Sequence, residues 1–377
     1  KAHKGLAREV SREEIVLLKN DGVLPLKNNI GSIAVIGPNA DMMYNQLGDY
    51  TAPQEREEIV TVLDGIRKAV SPSTKVNYVK GCAIRDVTTS NIPAAVEAAR
   101  AADAVVLVVG GSSSRDFKTK YIGTGAADVS NDGNQLLSDM DCGEGYDRST
   151  LRLLGDQEKL LKAVAATGKP LVVIYIQGRT LNMNLASEKA QALLTAWYPG
   201  EQGGAAIADV LFGDYNPAGR LPVSVPRSEG QLPLFYSQGK QRAYVEEEGT
   251  PLYAFGYGLS YTKFDYSQLE LQKGNGKDVL QTVSCTVTNT GDCDGEEVVQ
   301  LYICDKVASV SQSPILLKAF ERISLKKGES KKVTFTLGEE ELSLYNMEMK
   351  QVVEPGDFKV MVGAASDDIR LEGEFTL

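Results

Sequence analysis

The run AVVLVVG at residues 104–110 is the stretch of sequence that decides the fold. It is apolar on both faces of a strand, as expected where helices cover a sheet on both sides. Four further apolar runs indicate the other strands of a mostly parallel sheet: IAVIG (33–37), VNYV (76–79), LVVIYI (171–176) and ALLTAW (192–197).

Amphipathic helical patterns alternate with these runs. The first two helices are marked by apolar residues near helical spacing, at Ala7, Val10, Ile15 and Leu18 and at Ile59, Leu63, Ile66 and Val70. Two more helices are predicted at 91–101 and 156–166, and the second of these ends before Gly168-Lys169-Pro170. The alternation of strands and helices predicts an α/β sandwich domain over residues 1–212.

The pattern changes in the last third of the chain. After Phe264, strands of period two follow one another at short intervals, with the turn signals NTGD, KKGE and EPGD between them. Residues 265–377 are therefore predicted to form an all-β sandwich. It has no aromatic cluster that would suggest a carbohydrate-binding module, so a structural accessory role is predicted. Between the two domains, the Pro-, Gly- and Tyr-rich residues 213–264 are predicted to connect them, either as a packed structural linker or with a direct role in ligand binding.

The charge balance limits the partners that this chain is expected to have. Against 40 Lys and Arg stand 50 Asp and Glu, which gives a formal net charge of -10. A field of this sign repels phosphate backbones and anionic lipid surfaces, so nucleic acid is not expected as a partner. No run approaches the ~20 apolar residues needed to cross a bilayer, so membrane insertion is not expected either. The start KAHKGLAREV has neither an initiator Met nor an apolar signal core, which favours a mature or truncated chain.

Metal and cofactor chemistry is not indicated by the motifs. The only histidine is His3, so catalytic triads, Cys-His dyads and His-based metal sites are excluded, and acid-base chemistry falls to carboxylates, Tyr or Lys. IAVIGPNAD (33–41) begins like a dinucleotide-binding turn, but Pro38 has no N–H for a pyrophosphate and no GxGxxG follows. No cofactor is therefore expected. The five cysteines are expected to remain thiols, with a local bridge between Cys285 and Cys293 as the alternative.

A long insertion follows the central strand. Between Gly110 and Leu151 the alternation of strands and helices fails, in a stretch rich in Gly, Ser, Asp and Thr. An insertion of this kind is typically functional or disordered, and it leaves the sheet where ligands bind in open parallel sheets. We expect residues 110–150 to be mobile in this chain, because they offer few apolar contacts.

Two groups of residues in the insertion could carry chemistry. Ser112, Ser113 and Ser114 precede Arg115, which is a candidate ligand contact; without a usable histidine, a serine nucleophile is the less favoured interpretation. Further on, four carboxylates crowd together at Asp139, Asp141, Glu144 and Asp147. Glu144 stands between two glycines, a setting that can present its side chain at a loop tip.

Several long motifs in this order resemble the C-terminal half of family 3 glycoside hydrolases. They are LAREVSREEIVLLKNDGVLPL (6–26), VLVVGGSSSRDF (106–117), GEGYDRSTLRLLGDQEKLL (143–161), AWYPGEQGGAAIADVLFGDYNPAGRLPVSVP (196–226), YAFGYGLSYTKF (253–264), VTNTGDCDGEEVVQLYICD (287–305) and VEPGDFKVMVGAASDDIRL (353–371). The resemblance implies an α/β sandwich followed by a fibronectin type III-like domain. It also implies a missing N-terminal barrel that carries the Asp nucleophile, and it favours a periplasmic or secreted protein.

The resemblance further implies an activity and its residues. The complete protein would be a retaining, exo-acting β-glucosidase or β-xylosidase that hydrolyses terminal β-linked sugars of oligosaccharides. Glu144 matches the general acid/base of the family's glucosidase-like members, and the chain alone is expected to be inactive. Arg115, Tyr146 and Arg148 are candidate substrate contacts. Asp147 and Arg148 are expected either to pair with each other or to hold the loop.

Two other interpretations remain. The chain could be a non-catalytic module that binds sugar or a partner, which would differ from the first interpretation in lacking a barrel upstream. It could also belong to another exo-glycosidase of the family, such as an N-acetylglucosaminidase, although that branch uses a His-containing acid/base and does not need the GEGYDR loop. Between glucose and xylose the sequence favours neither.

Overall fold

The structure is a computed structural model that describes residues 2–51, 54–113, 139–143, 147–238 and 242–377. The chain divides into two compact units. The first contains the residues up to Gly219 together with Arg227–Gly230, and the second contains Arg220–Pro226 and Gln231–Leu377. The chain therefore passes from one unit to the other three times within a dozen residues. The sequence-based boundaries at 212 and 264 stay a prediction.

A six-stranded sheet forms the centre of the first unit. Its strands are β1 (Val16–Asn20), β2 (Ser32–Ile36), β3 (Lys75–Val79), β4 (Ala104–Gly110), β5 (Leu171–Ile176) and β6 (Ala192–Thr195). They lie in the order β1-β6-β5-β4-β2-β3, and every pairing is parallel except that of β1 with β6. The predicted α/β class and mostly parallel sheet are confirmed.

Burial follows the position of each strand in the sheet. Every residue of β4, β5 and β6 is buried, which explains why these strands read as unbroken apolar runs. The outer strand β3 has two exposed and three half-buried residues, so VNYV is not covered on both sides as predicted. An edge strand has a sheet neighbour on one side only, which leaves room for its polar residues.

The described part of this unit contains seven α-helices. They are α1 (Ala2–Glu14), α2 (Met43–Leu47), α3 (Val62–Ala69), α4 (Ile92–Ala101), α5 (Gln157–Ala165), α6 (Asn184–Lys189) and α7 (Gly203–Phe212). Helix α3 begins at a capping box, in which the Asp64 amide donates to Thr61 Oγ1 at 3.3 Å and the Thr61 amide donates to Asp64 Oδ2 at 3.4 Å.

The first helix is shorter than its apolar pattern predicts. It ends at Glu14, so Ile15 and Leu18 do not lie on it, and both are buried at or within the antiparallel edge strand β1. The prediction of one helix through Leu18 is therefore wrong. Four apolar residues in a row, Ile15–Leu18, fit a short buried strand as well as a helix, and here they form the edge of the sheet beside β6.

The second unit is built on a β-sandwich. Its elements are β7 (Phe264–Lys273), β8 (Gln281–Asn289), β9 (Gly295–Asp305), β10 (Leu316–Leu325), β11 (Ser330–Leu337), α8 (Glu339–Leu342), β12 (Leu344–Tyr345), β13 (Gln351–Val352), β14 (Asp357–Ala365) and β15 (Asp368–Thr376). The sheets β11-β8-β7 and β10-β9-β14-β15 are antiparallel, and β12 pairs with β13. Val283, Leu301 and Val360 are fully buried in the core, as the predicted all-β sandwich requires.

Part of the connecting segment packs into this second unit. The Leu221 amide donates to Tyr257 O at 2.9 Å, and Val225 forms an isolated bridge with Tyr253. The segment also brings an aromatic cluster, since the rings of Tyr236 and Phe255 stack at 4.2 Å between centroids. A second stacked pair, Phe358 with Phe375 at 5.2 Å between ring centroids, is buried in the sandwich itself, so stacked aromatic rings occur in the strands as well as in the connecting segment.

Residues 227–230 belong to the first unit instead. The Arg227 carbonyl accepts from the Nδ2 atoms of Asn182 and Asn184, both at 2.7 Å. Glu229 Oε1 accepts from Thr150 Oγ1 at 2.6 Å and from the Leu151 amide at 2.5 Å. Through Glu229, this segment is thus bonded to Thr150 and Leu151, which follow the predicted acid/base loop in the sequence.

Other features bear on the sequence predictions. All five cysteines are free thiols, so Cys285 and Cys293 are not bridged. Within the described ranges, no helix has the length and apolar character to cross a membrane, and no three His, Cys, Asp or Glu side chains are grouped as metal ligands would be.

Candidate active-site loop

The candidate site lies at the carboxyl edge of the parallel sheet, where β2, β4 and β5 end next to one another. A buried chain of amides and hydroxyls crosses this edge. Asn39 Nδ2 donates to Gly111 O at 3.1 Å, Asn45 Nδ2 donates to Asn39 Oδ1 at 2.6 Å, and Ser112 Oγ donates to Asn45 Oδ1 at 2.6 Å. Since all three side chains are buried and bonded, the chain leaving β4 is held rigidly as far as Ser112.

Asp141 joins the two sides of the insertion. Its Oδ1 accepts from the Ser112 amide at 2.7 Å, and its own amide donates to Ser112 O at 2.8 Å. Asp139 also accepts hydrogen bonds from backbone amides: its carboxylate accepts from the amides of Ile84 and Arg85 at 2.7 and 2.8 Å. Both acids are therefore bonded as anchors of the insertion.

Arg148 forms a buried ion pair with Asp141. The side chains of the two residues are 5% and 1% exposed, and Arg148 Nη1 contacts Asp141 Oδ2. Arg148 Nε also donates to Thr150 O at 2.9 Å. Asp141 and Arg148 lie on either side of residues 144–146 in the sequence, so the ion pair joins the chain before this segment to the chain after it. Arg148 thus holds the loop, and its predicted contact with a sugar stays a prediction.

Asp147 pairs with a partner that the sequence did not suggest. Its Oδ1 lies 2.7 Å from Arg179 Nη1 and accepts from the Arg148 amide at 2.8 Å. The hydrogen bond from Arg179, followed by that from the Arg148 amide, lowers the pKa of Asp147. The two side chains of Asp147 and Arg148 are therefore not paired with each other. Asp147 is ionised at neutral pH and cannot serve there as a proton donor.

Three of the sequence-predicted site residues, Glu144, Tyr146 and Arg115, lie outside the described residues, as does most of the insertion that was expected to be mobile. Their roles stay predictions. The described residues that flank Glu144 are Gly143 and Asp147. Of the four clustered acids, the other three are each bonded as just described.

Comparison with known proteins identifies the family. The Glycosyl hydrolase family 3 C-terminal domain matches residues 15–261. This chain belongs to glycosyl hydrolase family 3. A Fibronectin type III-like domain matches residues 297–366, within the β-sandwich of the second unit.

Relatives of this family 3 chain include glycosidases of two kinds. It is 42% identical to a beta-xylosidase of Formosa agariphila, across 98% of this chain and 49% of that protein. It is 39% identical to a periplasmic beta-glucosidase of Salmonella typhimurium, across 100% of this chain and 50% of that protein. The chain therefore spans about half the length of the curated relatives that it matches.

Solved structures give the same result. A β-glucosidase from Erythrobacter marinus superposes with a TM-score of 0.84 at 36% identity, covering 100% of this chain and 51% of the other. A β-glucosidase from Listeria innocua in complex with glucose superposes with a TM-score of 0.84 at 31% identity, covering 99% and 49%. The family and the fold that the motifs implied are confirmed.

Sequence reasoning missed some residues of the candidate site. Asn39, Asn45 and Arg179 support the loop, yet none belongs to the acidic cluster or to the insertion. Asn39 could have been predicted as a site residue, because it follows β2 at the carboxyl edge of the sheet. Tyr198 was quoted only as part of a motif; its hydroxyl lies 3.7 Å from Cys142 Sγ, and burial raises the pKa of both groups.

Proposed function

We propose that the complete protein is a retaining, exo-acting β-glycosidase of the β-glucosidase or β-xylosidase type, to which this chain contributes Glu144 as general acid/base. Membership of family 3 supports the reaction class, and similarity to a beta-xylosidase and a periplasmic beta-glucosidase supports the sugars. The other half of such a protein would bring the barrel and its Asp nucleophile.

The chemistry requires two carboxyl groups. In a retaining glycosidase they stand about 5–5.5 Å apart, where one attacks the anomeric carbon and the other protonates the leaving oxygen. The ionised nucleophile raises the pKa of its partner, which keeps the acid protonated near neutrality. When the glycosyl–enzyme ester has formed, that negative charge is gone, and the same group acts as the base that activates water.

The observation that carries the proposal is the bonding of the acids around Glu144. Asp139 and Asp141 are bonded as anchors, and the lowered pKa of Asp147 keeps it ionised. A general acid must hold a proton at working pH and reach the leaving oxygen. Asp147 is unsuited because it stays ionised, and Asp139 and Asp141 are unsuited because their carboxylates are bonded to the chain that they anchor. Glu144 is the remaining acid of the cluster, flanked by two glycines between the residues of a buried ion pair.

The test is Glu144→Ala in the full-length protein, assayed on β-glucosides and β-xylosides with good and poor leaving groups. We expect turnover of poor leaving groups to fall by about 10²–10⁴-fold and turnover of activated aryl glycosides to fall far less, because the latter need little protonation. Added azide should restore turnover and give a glycosyl azide of retained configuration.

Glu97→Ala is the matched control, since Glu97 is an exposed glutamate on α4. It should leave all rates unchanged. An equal loss for every leaving group, without azide rescue, would remove Glu144 from the acid/base role. A folded full-length protein that binds these sugars without any turnover would instead favour the non-catalytic module.

A further inference from the structure

A cleft of about 310 Å³ opens in the second unit. It is formed where residues 234–236 and 249–254 of the connecting segment meet the sandwich. The side chains that matter for binding are aromatic, hydroxylic or acidic: Phe235, Tyr236, Ser224, Thr250, Ser366 and Asp367. Binding clefts for small ligands start at about 300 Å³, so this one has room for a ligand of one or two rings.

The aromatic wall of the cleft is both exposed and fixed. Phe235 is 55% exposed, so its ring is open to a ligand in the cleft. Tyr236 is held in place, because its ring stacks on Phe255 with an interplanar angle of 14° and its hydroxyl accepts from the Leu317 amide at 3.2 Å. Ligand binding would therefore not have to order this ring.

The opposite side of the cleft offers hydrogen-bonding groups. Asp367 forms no ion pair with any residue that the structure describes, although its neighbours Asp368 and Arg370 pair with each other. Burial raises the pKa of Asp367, which shows that its carboxyl is partly withdrawn from water. Ser224 Oγ accepts from the Phe255 amide at 3.3 Å and can still donate. The cleft thus combines aromatic faces with a carboxylate and hydroxyls.

We infer that this cleft binds a sugar ring of a β-linked oligosaccharide. A pyranose has an apolar face of C–H groups that packs on aromatic rings, and an edge of hydroxyls that donate to a carboxylate and exchange hydrogen bonds with serine hydroxyls. A purely apolar ligand would cover the carboxyl of Asp367 without offering it a hydrogen bond, and an anion would be repelled by it. A neutral polyol with an apolar face satisfies every group.

The site is independent of the acid/base loop. All its lining residues belong to the second unit, whereas the loop belongs to the first. The choice of a sugar as ligand rests on family membership and on the substrate class proposed above. The inference does not require Glu144 to be the acid/base.

The test measures binding of cellobiose and xylobiose to the 377-residue chain, by saturation-transfer NMR and calorimetry. We expect weak binding in the range of ~1 mM, as is common for a single small site. Phe235→Ala and Asp367→Asn should each weaken it by about tenfold or more. Both substitutions are at surface positions, so the variants are expected to fold, and circular dichroism will check this.

Two matched controls carry the same changes elsewhere on the unit. Phe320→Ala removes a phenylalanine that is 66% exposed on β10, and Asp265→Asn removes an exposed carboxylate on β7. Neither should alter sugar binding. Glu144→Ala in the same chain should not alter it either, which separates this site from the acid/base loop.

Several results would overturn the inference. They are an absence of sugar binding at ~10 mM, equal weakening by the cleft variants and the controls, and loss of binding in Glu144→Ala alone. Preferential binding of a small quaternary ammonium ion over both disaccharides would also overturn it. None of these results bears on turnover by the full-length protein, so the proposed function would stand or fall separately.

Discussion

Arg148 and Asp141 are seven residues apart in the sequence, and their side chains meet in the interior at the foot of the candidate loop. Two charges taken out of water are costly unless each satisfies the other, and here the carboxylate also accepts from the Ser112 amide. The pair thus requires a fixed distance between Asp141 and Arg148, which are the residues on either side of the segment 144–146.

Replacing Arg148 by Met tests this requirement. The substitution leaves Asp141 buried without its cation, so we expect the free energy of unfolding of the first unit to fall by about 3–5 kcal/mol. Asp147→Asn is the control, because it removes an acid at the same loop whose side chain is 80% exposed, and its effect should be far smaller. Urea unfolding of the 377-residue chain measures both. Equal effects would show that the buried pair has no special structural role.

Glu14 gives a pH-dependent prediction. Burial at the end of α1 raises its pKa from 4.5 to about 7, and a negative charge at a helix C-terminus is unfavourable as well. The folded state therefore binds this proton more tightly than the unfolded state. The resulting stability is fully present below pH 4.5 and is lost as the pH rises through about 7.

Glu14→Gln should abolish this loss. We expect the variant to match the original chain below pH ~5 and to exceed it above pH ~8 by on the order of 1 kcal/mol in urea unfolding. Glu13→Gln changes the charge of the exposed neighbouring residue and serves as the control. A stability difference that does not vary with pH would contradict the assignment to Glu14.

At the scale of elements, the backbones of β4 and β5 lie very close together where these two neighbouring strands end. Gly110 closes β4 with φ at +138°, and a Cβ at this position would stand 1.9 Å from Ile176 O on the neighbouring strand. No side chain fits there without a shift of one strand. The exit of the chain from β4 toward the insertion thus depends on a glycine.

Gly110→Ala should accordingly destabilise the first unit by more than about 3 kcal/mol, because both backbone conformation and space oppose it. Gly168 is the matched control: its φ is +70°, and a Cβ there would have nothing within 4 Å. Gly168→Ala should cost only about 1–2 kcal/mol, the price of the left-handed conformation. Thermal and urea unfolding of the two variants compare them directly.

The elements also show what the sequence could predict. Strands β4, β5 and β6 were readable because burial on both faces leaves them almost entirely apolar; Thr195, at the end of β6, is buried as well. Strand β1 was not, because its apolar residues continue the pattern of α1 and its pairing with β6 is made over a long sequence separation. Local periodicity contains no information on such a partner.

For the candidate site, too, local features could be predicted from the sequence and long-range contacts could not. Glu144 was predicted from its motif and its flanking glycines, both of which are local. The pairing of Asp147 with Arg179 and the bonding of Ser112 to Asn45 are not local, since topology alone brings those residues together. Contacts of this kind become visible only when the order of the strands is known.

At the scale of the whole molecule, the chain has two complete cores and one half of a proposed active site. We expect the purified chain to be folded, with cooperative unfolding, and to hydrolyse neither aryl β-glucoside nor aryl β-xyloside. Protonation of the leaving group alone gives about 10²–10⁴-fold acceleration, well short of the ~10⁶-fold or more that enzymes reach. The full-length protein, assayed beside it, should be active on at least one substrate. Turnover by the chain alone that disappears when one of its own Asp residues is changed would place the nucleophile within these 377 residues.

The threefold passage of the chain between its two units restricts how such a protein can be recombined. A gene crossover just after Gly219 would supply Arg227–Gly230 of the first unit from the second parent, and a crossover just after Gly230 would supply Arg220–Pro226 of the second unit from the first parent. No single junction leaves both units with one ancestry. Residues 220–230 therefore have to be inherited together with both units, since part of this segment belongs to each. This favours descent of the two units as a pair over their exchange as separate modules.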